Sequence, residues 1–283
     1  MEPGKRSEMA EGTALFRAIH QLIDDDPKIL SDPLAIAILG RNAEQIEAEC
    51  GRLSSPRSKQ ARILPVMRSR YTEDELAASI NRGVTQYVVL GAGLDTSPYR
   101  SGHVAEQLRT FEIDHPDTQR WKLECLQKAG IRTPQNLTHV AIDFERESLA
   151  DGLQRNGFKL DQPAFFSWLG VMYYLQHESV LETFRYVAGT APGGQIVLDF
   201  MLDDASFDET KQISIQKASE YVASIGEPWL SRYSAEELAE ILRNIGFSKV
   251  TYFSNELATE RYLKDRSDGL SLDPFIQMMG AIV

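Results

Sequence analysis

Cysteine is nearly absent from the sequence: the chain has only Cys50 and Cys125 among its 283 residues. Two cysteines can form neither a disulfide framework nor a four-cysteine zinc site, and so few thiols suit a reducing compartment. The acids around His115 have no second His/Cys cluster elsewhere in the sequence to complete a ligand set. We therefore expect a cytoplasmic protein and no metal site.

Long apolar runs are missing as well. No stretch approaches the roughly 18 consecutive apolar residues of a membrane-spanning helix, and the polar residues 1–12 do not lead into the apolar segment of a signal peptide. Basic residues are outnumbered, 30 against 41 acidic ones, which gives a net charge of −11. Because such a surface repels phosphate backbones and anionic lipids, we expect neither a nucleic acid nor a membrane as a partner.

What is present is an ordinary globular composition, with 42% hydrophobic and 25% charged residues. A chain of this length can bury an ample core as one large domain, or as a domain with a cap. Residues 1–85 have apolar residues at helical spacing and no clear strand, so they predict an N-terminal helical cap. Within this cap, residues 73–81 are predicted to be helical and 54–56 to be a loop.

From residue 86 onward, short apolar runs alternate with helical segments of ten or more residues. This alternation is typical of βαβ units and a parallel sheet, so residues 86–283 predict a doubly wound α/β domain. A long helical segment and the turn Gly226-Glu227-Pro228-Trp229 interrupt the alternation and predict a helical insertion at about 203–233. The predicted strands are residues 86–90, 109–113, 137–142, 164–168, 195–200, 249–253 and 275–283.

Glycine-rich or acidic signals follow the first three strands, at the edge where open parallel sheets bind ligands. Gly91-Ala92-Gly93 allows a ligand to approach the backbone closely. The spacing along the chain from Gly91 to Asp114 is close to the roughly 20 residues that typically separate such a glycine turn from a carboxylate that accepts ribose hydroxyls. Asp143-Phe144 offers an acid for the amino group of an adenine and a ring for its face. The signals predict a site for an adenosine-containing ligand, although each acid could instead cap the helix after it.

These motifs resemble those of the leucine carboxyl methyltransferase family, and more closely its bacterial branch of S-adenosylmethionine-dependent, polyketide O-methyltransferase-like proteins. The resemblance implies a class I methyltransferase with a Rossmann-like, mostly parallel seven-stranded sheet and helices on both faces. It also implies S-adenosyl-L-methionine as cofactor and O-methylation of a carboxyl or hydroxyl group on a small-molecule acceptor. The likeness is carried by residues 13–14, 31–35, 68–71, 88–96, 111–116, 143–144, 168–171, 226–229 and 261–262.

The resemblance implies roles for single residues in binding the cofactor. Arg70 would meet the cofactor's carboxylate, because a planar guanidinium can fork onto a carboxylate, and Arg68 is the alternative two residues earlier. The eukaryotic members have a glutamate where this chain has Leu169, which argues against a protein C-terminus as acceptor. The remaining implied contacts are Gly91, Ala92 and Gly93 to the methionine part, Asp114 to the ribose, and Asp143 with Phe144 to the adenine.

The acceptor side of the site is less defined in the sequence. Tyr173 and Tyr174 follow the fourth strand and belong either to the pocket wall or to the core. Trp229 either points from the insertion into the pocket or packs the insertion onto the domain. His115 is a candidate base only because it is next to Asp114, and no residue is assigned a catalytic role.

Two other functions remain open from the sequence. An NAD(P)-dependent oxidoreductase would use the same glycine turn and ribose acid, but Thr96 stands where its third glycine would be, and Asp143-Phe144 does not belong to its pattern. The second is a protein that binds S-adenosylmethionine without turnover, because an intact pocket alone does not establish catalysis.

Overall fold

The computed structural model describes residues 7–50, 55–100, 108–143 and 147–283. The described part of the chain begins with four helices: α1 (Glu8–Ile23), α2 (Ala35–Ile38), α3 (Ala43–Cys50) and α4 (Pro56–Asn81). α1 starts where the Ser7 side chain accepts a hydrogen bond from the Ala10 N–H. The helical character predicted for the N-terminal part of the chain is confirmed for these residues.

α4 is much longer than the sequence predicts. Ser55 caps it by accepting a hydrogen bond from the Ser58 N–H, and Pro56 occupies its first turn, a position that suits proline. The prediction of a loop at 54–56 was therefore wrong for Ser55 and Pro56, which begin the helix; residue 54 lies outside the described residues. Pro65 lies inside the helix, and the helix continues past it.

The centre of the fold is one seven-stranded sheet in the order β3-β2-β1-β4-β5-β7-β6. Strands β1 to β5 run parallel, and β7 pairs antiparallel with both β5 and β6. The seven strands are β1 (Gln86–Leu90), β2 (Arg109–Asp114), β3 (Leu137–Ala141), β4 (Ala164–Trp168), β5 (Gln195–Met201), β6 (Lys249–Phe253) and β7 (Ile276–Ile282). All seven predicted strands are confirmed, and each observed end lies within one residue of the predicted end.

The helices after β1 cover the sheet and fill the connections. They are α5 (Ser97–Arg100), α6 (Pro116–Lys128), α7 (Leu149–Arg155), α8 (His177–Ala188), α9 (Glu209–Ser224), α10 (Ala235–Ile245) and α11 (Asn255–Ala258). Shorter turns of 3₁₀ helix occur at Met172–Tyr174 and Asp204–Ser206, and a π-helical turn at Thr259–Leu263. No helix in the described part of the chain is long and apolar enough to cross a membrane.

The two faces of the sheet have separate apolar cores. Successive side chains of a strand alternate between faces, so Val88 packs with α7, α8 and α10, whereas Val89 packs with α4. α4 therefore belongs to the core of the sheet domain, although it precedes the predicted boundary at residue 85. A smaller apolar cluster joins α1, α2 and α3 through Ala18, Ile19, Ala35, Ile46 and Cys50.

The predicted insertion leaves the sheet directly after β5. It contains the 3₁₀ turn at Asp204–Ser206 and helix α9, and it returns at Tyr233. Tyr233 pairs with Leu202 in a short parallel bridge, and the Asp203 N–H donates to the Tyr233 carbonyl. The segment therefore leaves and rejoins the domain at one place.

A buried ion pair connects β2 with α6. Lys122 Nζ lies 2.7 Å from Glu112 Oε1, and both side chains are almost fully buried. Tyr99 donates its hydroxyl proton to the other oxygen of Glu112 at 2.8 Å. The Glu112 carboxylate is therefore bound to partners in the interior of the domain. Asp114, two residues further along β2, lies at the strand end.

We predict that Lys122→Met lowers the free energy of unfolding by about 3–5 kcal/mol, because it leaves the Glu112 carboxylate buried without its counter-ion. Denaturant unfolding followed by circular dichroism measures this loss. Arg185→Met, which breaks the exposed Arg185–Glu178 pair, is the control and should change stability little. Equal losses in the two variants would show that Lys122 does not compensate a buried charge.

Candidate functional site

A cavity of about 1220 Å³ opens at the carboxyl ends of the parallel strands. Its floor is formed by the turns after β1, β2, β3 and β4. α1 and α4 contribute one wall, and the end of the insertion contributes another. This position is the one that the parallel topology predicts for a ligand.

The glycine turn after β1 approaches the cavity with its backbone. Gly91 has φ +72°, and a Cβ built on it would lie only 2.3 Å from the Val171 side chain. Gly93 has φ +44°, and its Cβ would lie 3.2 Å from the Ala10 side chain of α1. Both positions therefore require glycine, because the left-handed backbone and the close neighbours each disfavour a side chain.

Asp114 is hydrogen-bonded to this glycine turn. Its Oδ2 accepts from the Gly93 N–H at 2.6 Å, and its Oδ1 accepts from the His115 N–H at 2.7 Å. Burial raises the pKa of Asp114 above its ordinary value, and the two N–H donors oppose that rise. Each carboxylate oxygen retains acceptor capacity for a ligand hydroxyl, because an ionised carboxylate offers about four acceptor positions.

The turn after β3 gives the cavity an acid between apolar neighbours. Asp143 lines the cavity, as do the buried side chains of Ile142 and Leu149. The predicted ring next to this acid, Phe144, lies outside the described residues. A carboxylate with apolar walls beside it suits a flat base that carries an amino group.

Of the two arginines on α4, the structure places Arg68 in the cavity and Arg70 outside it. Arg70 instead pairs with Asp74 at 3.1 Å, and its guanidinium lies 6.0 Å from the centre of the Tyr262 ring. Arg68 is buried and pairs with Asp199 at 2.9 Å. The prediction that Arg70 meets a ligand carboxylate does not fit this geometry, because residues two apart on a helix project in different directions.

The aromatic residues named as substrate candidates occupy two environments. Tyr173 and Tyr174 line the cavity, with ring centres 4.8 Å apart. Burial raises the pKa of Tyr174 to about 12 and that of Tyr173 well above its ordinary value, so both hydroxyls stay protonated at neutral pH.

Trp229 packs on Phe275, with ring centres 5.4 Å apart, and only its chain neighbours Gly226, Glu227, Pro228 and Leu230 line the cavity. This position favours the packing interpretation of Trp229.

The N-terminal helix contributes to the site in a way that the sequence does not reveal. Arg17 of α1 donates from Nη2 to the Leu94 carbonyl at 2.7 Å and from Nε to Asp32 at 3.0 Å. The Thr96 hydroxyl donates to the same Asp32 oxygen at 2.6 Å. Thr96, which replaces the third glycine of a dinucleotide fingerprint, thus fastens the glycine turn to the N-terminal segment.

The acids at the cavity do not form a metal centre within the described residues, which contain no group of three or more His, Cys, Asp or Glu side chains arranged to hold an ion. His115 caps α6 by accepting a hydrogen bond from the Asp117 N–H. This contact gives His115 a structural role at the helix start.

Comparison with known proteins identifies the family. The sequence model of the family described as "Leucine carboxyl methyltransferase" matches residues 10–188. The chain belongs to this family. The match includes the glycine turn, Asp114, Asp143 and the segment after β4, which together form the floor of the cavity.

Relatives of this chain carry provisional names as S-adenosyl-L-methionine-dependent methyltransferases. YktD of Bacillus subtilis is 31% identical over 222 residues, which cover 77% of this chain and 72% of YktD. A relative from Mycobacteroides abscessus is 29% identical over 193 residues, 67% of this chain and 63% of that protein.

Solved structures show the same architecture. A crystal structure provisionally named as a methyltransferase from Thermobifida fusca superposes with a TM-score of 0.57 at 16% identity, covering 99% of this chain and 96% of the other. A DUF574 family protein from Streptomyces avermitilis gives a TM-score of 0.56 at 16% identity, covering 87% and 94%. At this identity the likeness shows the fold, and the predicted class I methyltransferase architecture is confirmed.

We predict that Gly91→Ala is more destabilising than Gly83→Ala, by about 1–3 kcal/mol, because its Cβ meets Val171. Gly83 is the matched control, since its φ is also positive, at +98°, but open space surrounds it. Denaturant unfolding of both variants measures the difference. Adding Val171→Ala to Gly91→Ala should recover part of the loss, and failure to recover any would contradict the predicted clash.

Proposed function

We propose that this family member is an O-methyltransferase that transfers the methyl group of S-adenosyl-L-methionine to a carboxyl or hydroxyl oxygen of a small molecule. The observation that carries the proposal is the spatial order of the strands, β3-β2-β1-β4. Along that order the cavity presents Asp143, Asp114, Gly91 and then Arg68 beside the segment after β4. Adenine, ribose and the methionine part follow one another in the cofactor in the same sequence.

The residues in the cavity fit this cofactor. Asp143 offers an acceptor for the adenine amino group, and Asp114 has acceptor capacity left for the two ribose hydroxyls. The backbone at Gly91, Ala92 and Gly93 carries no side chain larger than a methyl group, so the methionine part of the cofactor can lie against it. The guanidinium of Arg68 suits the cofactor's carboxylate.

The charge of the cavity also favours a cationic ligand. Asp95, Asp114, Asp117 and Asp143 line it, together with Glu147, Glu182 and Glu227. Two of these acids are neutralised by arginines outside the cavity, Asp117 by Arg120 and Glu147 by Arg155. Among the described residues, the arginines that line the cavity, Arg17 and Arg68, are each paired with a buried carboxylate, Asp32 and Asp199 respectively. A site with this balance attracts a sulfonium and an ammonium group, and it disfavours the pyrophosphate of a nicotinamide dinucleotide.

The cofactor, when bound, supplies a methyl group on a positively charged sulfur, which is already a good leaving group. The chain's own residues then have to align the acceptor oxygen and exclude water. Met9, Ala10 and Thr13 of α1, with Leu230 at the end of the insertion, line the cavity from above the sheet and serve that purpose. An acceptor carboxylate, ionised at neutral pH, needs no base, whereas a hydroxyl acceptor has to lose a proton.

Three further observations support a small acceptor that reacts at oxygen. The family description names a carboxyl group, whose reacting atom is oxygen. The cavity exceeds the roughly 300–1,000 Å³ of a site for one drug-sized ligand, so a second small ligand has space beside the cofactor. The protonated hydroxyls of Tyr173 and Tyr174 can donate hydrogen bonds to an acceptor oxygen.

We predict that Asp114→Asn weakens the binding of S-adenosylhomocysteine and of 5′-methylthioadenosine by a similar factor, about tenfold or more. Both ligands carry the ribose, and the amide loses the charge of an acceptor typically worth about 1.5–3 kcal/mol. Isothermal titration calorimetry measures both constants. Asp161→Asn, an exposed position away from the cavity, should bind both ligands like the wild type. Unchanged constants for Asp114→Asn would reject the ribose assignment.

The proposed reaction is tested with S-adenosylmethionine labelled in its methyl group and a panel of small carboxylic acids, phenols and alcohols, with thiols and amines as controls. We expect label in an oxygen acceptor. Mild alkali separates the two oxygen classes, because it releases labelled methanol from a methyl ester and leaves an ether intact. Label only in thiols or amines would contradict O-methylation. Tight binding of NAD in place of S-adenosylmethionine would identify an oxidoreductase, and binding without transfer to any acceptor would contradict an enzymatic role.

A further inference from the structure

Asp199 is a buried acid to which neither the sequence motifs nor the proposed function assigns a task. It lies in β5 and is fully buried. Its neighbour Leu198 forms the last pair with β4, opposite Trp168, so Asp199 is placed beside the point where β4 ends. Alternation along β5 turns Asp199 to the same face as Val197, which packs with α4.

Both carboxylate oxygens of Asp199 accept hydrogen bonds beside the end of β4. Oδ2 accepts from Arg68 Nη1 at 2.9 Å, and Oδ1 accepts from the Gly170 N–H at 2.7 Å. The carboxylate therefore joins α4 to the segment that leaves β4, and it provides a counter-ion for a guanidinium that is itself buried.

Gly170 forms a second support for the same guanidinium. Its φ is +73°, and a Cβ built on it would lie 2.8 Å from Arg68 Nη2, 2.9 Å from Nη1 and 3.1 Å from Cζ. Real Cβ atoms do not approach so closely, so the guanidinium lies where only a glycine leaves space for it. Asp199 and Gly170 thus fix the position of Arg68 from two sides.

We propose that Asp199 is a positioning residue, and that together with Gly170 it holds the guanidinium of Arg68 ready for the carboxylate of the ligand's methionine part. This inference rests on the proposed function. A guanidinium has five N–H groups, so the bond from Nη1 to Asp199 leaves donors for a ligand. A long arginine side chain loses much conformational freedom when it is ordered, and fixing it beforehand removes that cost from ligand binding.

A purely structural role would have a different consequence. If the Arg68–Asp199 pair only fastened α4 to β5, its loss would loosen the cavity as a whole and weaken every ligand of the site. If it positions Arg68 for a carboxylate, its loss weakens only the ligands that carry this group. S-adenosylhomocysteine has the methionine carboxylate, and 5′-methylthioadenosine shares its adenosine and thioether but lacks the carboxylate.

The test compares both ligands by isothermal titration calorimetry in the full chain, with Asp199→Asn and Gly170→Ala as variants. We expect each variant to bind S-adenosylhomocysteine about tenfold or more weakly, as for a lost charge-assisted hydrogen bond, and 5′-methylthioadenosine within about twofold of the wild type. Gly170→Ala acts by displacing the guanidinium and leaves the ion-pairing groups in place, so it gives an independent answer if Asp199→Asn folds poorly.

Two matched variants serve as controls. Asp74→Asn breaks the ion pairs of Asp74 with Arg70 and Arg261 outside the cavity, and Gly83→Ala places an alanine at positive φ in open space. Both should bind the two ligands like the wild type. Equal weakening of both ligands in Asp199→Asn and Gly170→Ala, or no weakening of either, would overturn the positioning role. A wild-type chain that binds neither ligand would instead overturn the proposed function.

Discussion

The Asp114 carboxylate, at the end of β2, accepts two short hydrogen bonds, and the one from Gly93 joins it to the turn after the neighbouring strand β1. The Gly93 N–H belongs to the turn after β1, and the His115 N–H belongs to the start of the helix after β2. The carboxylate therefore fixes the backbone that forms the floor of the cavity before any ligand is bound. Because Gly91 contacts Val171 and Gly93 contacts Ala10, the same turn also sets the positions of the segment after β4 and of α1.

The buried arginines at the cavity occur in ion pairs. Among the described residues, the arginines that line it, Arg17 and Arg68, are each paired with a buried acid, Asp32 and Asp199 respectively. Burying a charge without a partner is costly, and such pairs also fix the geometry of their members. These two pairs thus give the cavity oriented N–H donors without adding net positive charge to it.

The sequence predicts the sheet and its ligand-binding edge well, because both depend on local patterns. Apolar runs ending in Gly91, Asp114 and Asp143 identify three strand ends in order. The choice between Arg68 and Arg70 is not local, since it depends on which face of α4 meets the sheet. Asp199 has no signal of its own either: an acid within an apolar run becomes informative only when the end of β4 and the side chain of Arg68 are placed next to it. The start of α4 was missed because Ser55-Pro56 is typical both of a loop and of a capped helix start.

The insertion after β5 departs and returns through one short bridge between Leu202 and Tyr233. Its residues take no part in the pairing of β5 with β4 and β7, and Ile215 of α9 packs it against Met201 at the end of β5. The residues proposed for the cofactor come from the turns after β1 and β3, from the end of β2 and from α4, and none of them belongs to this segment. Exchange of residues 203–232 between relatives would thus be a route to new acceptor preferences on an unchanged scaffold.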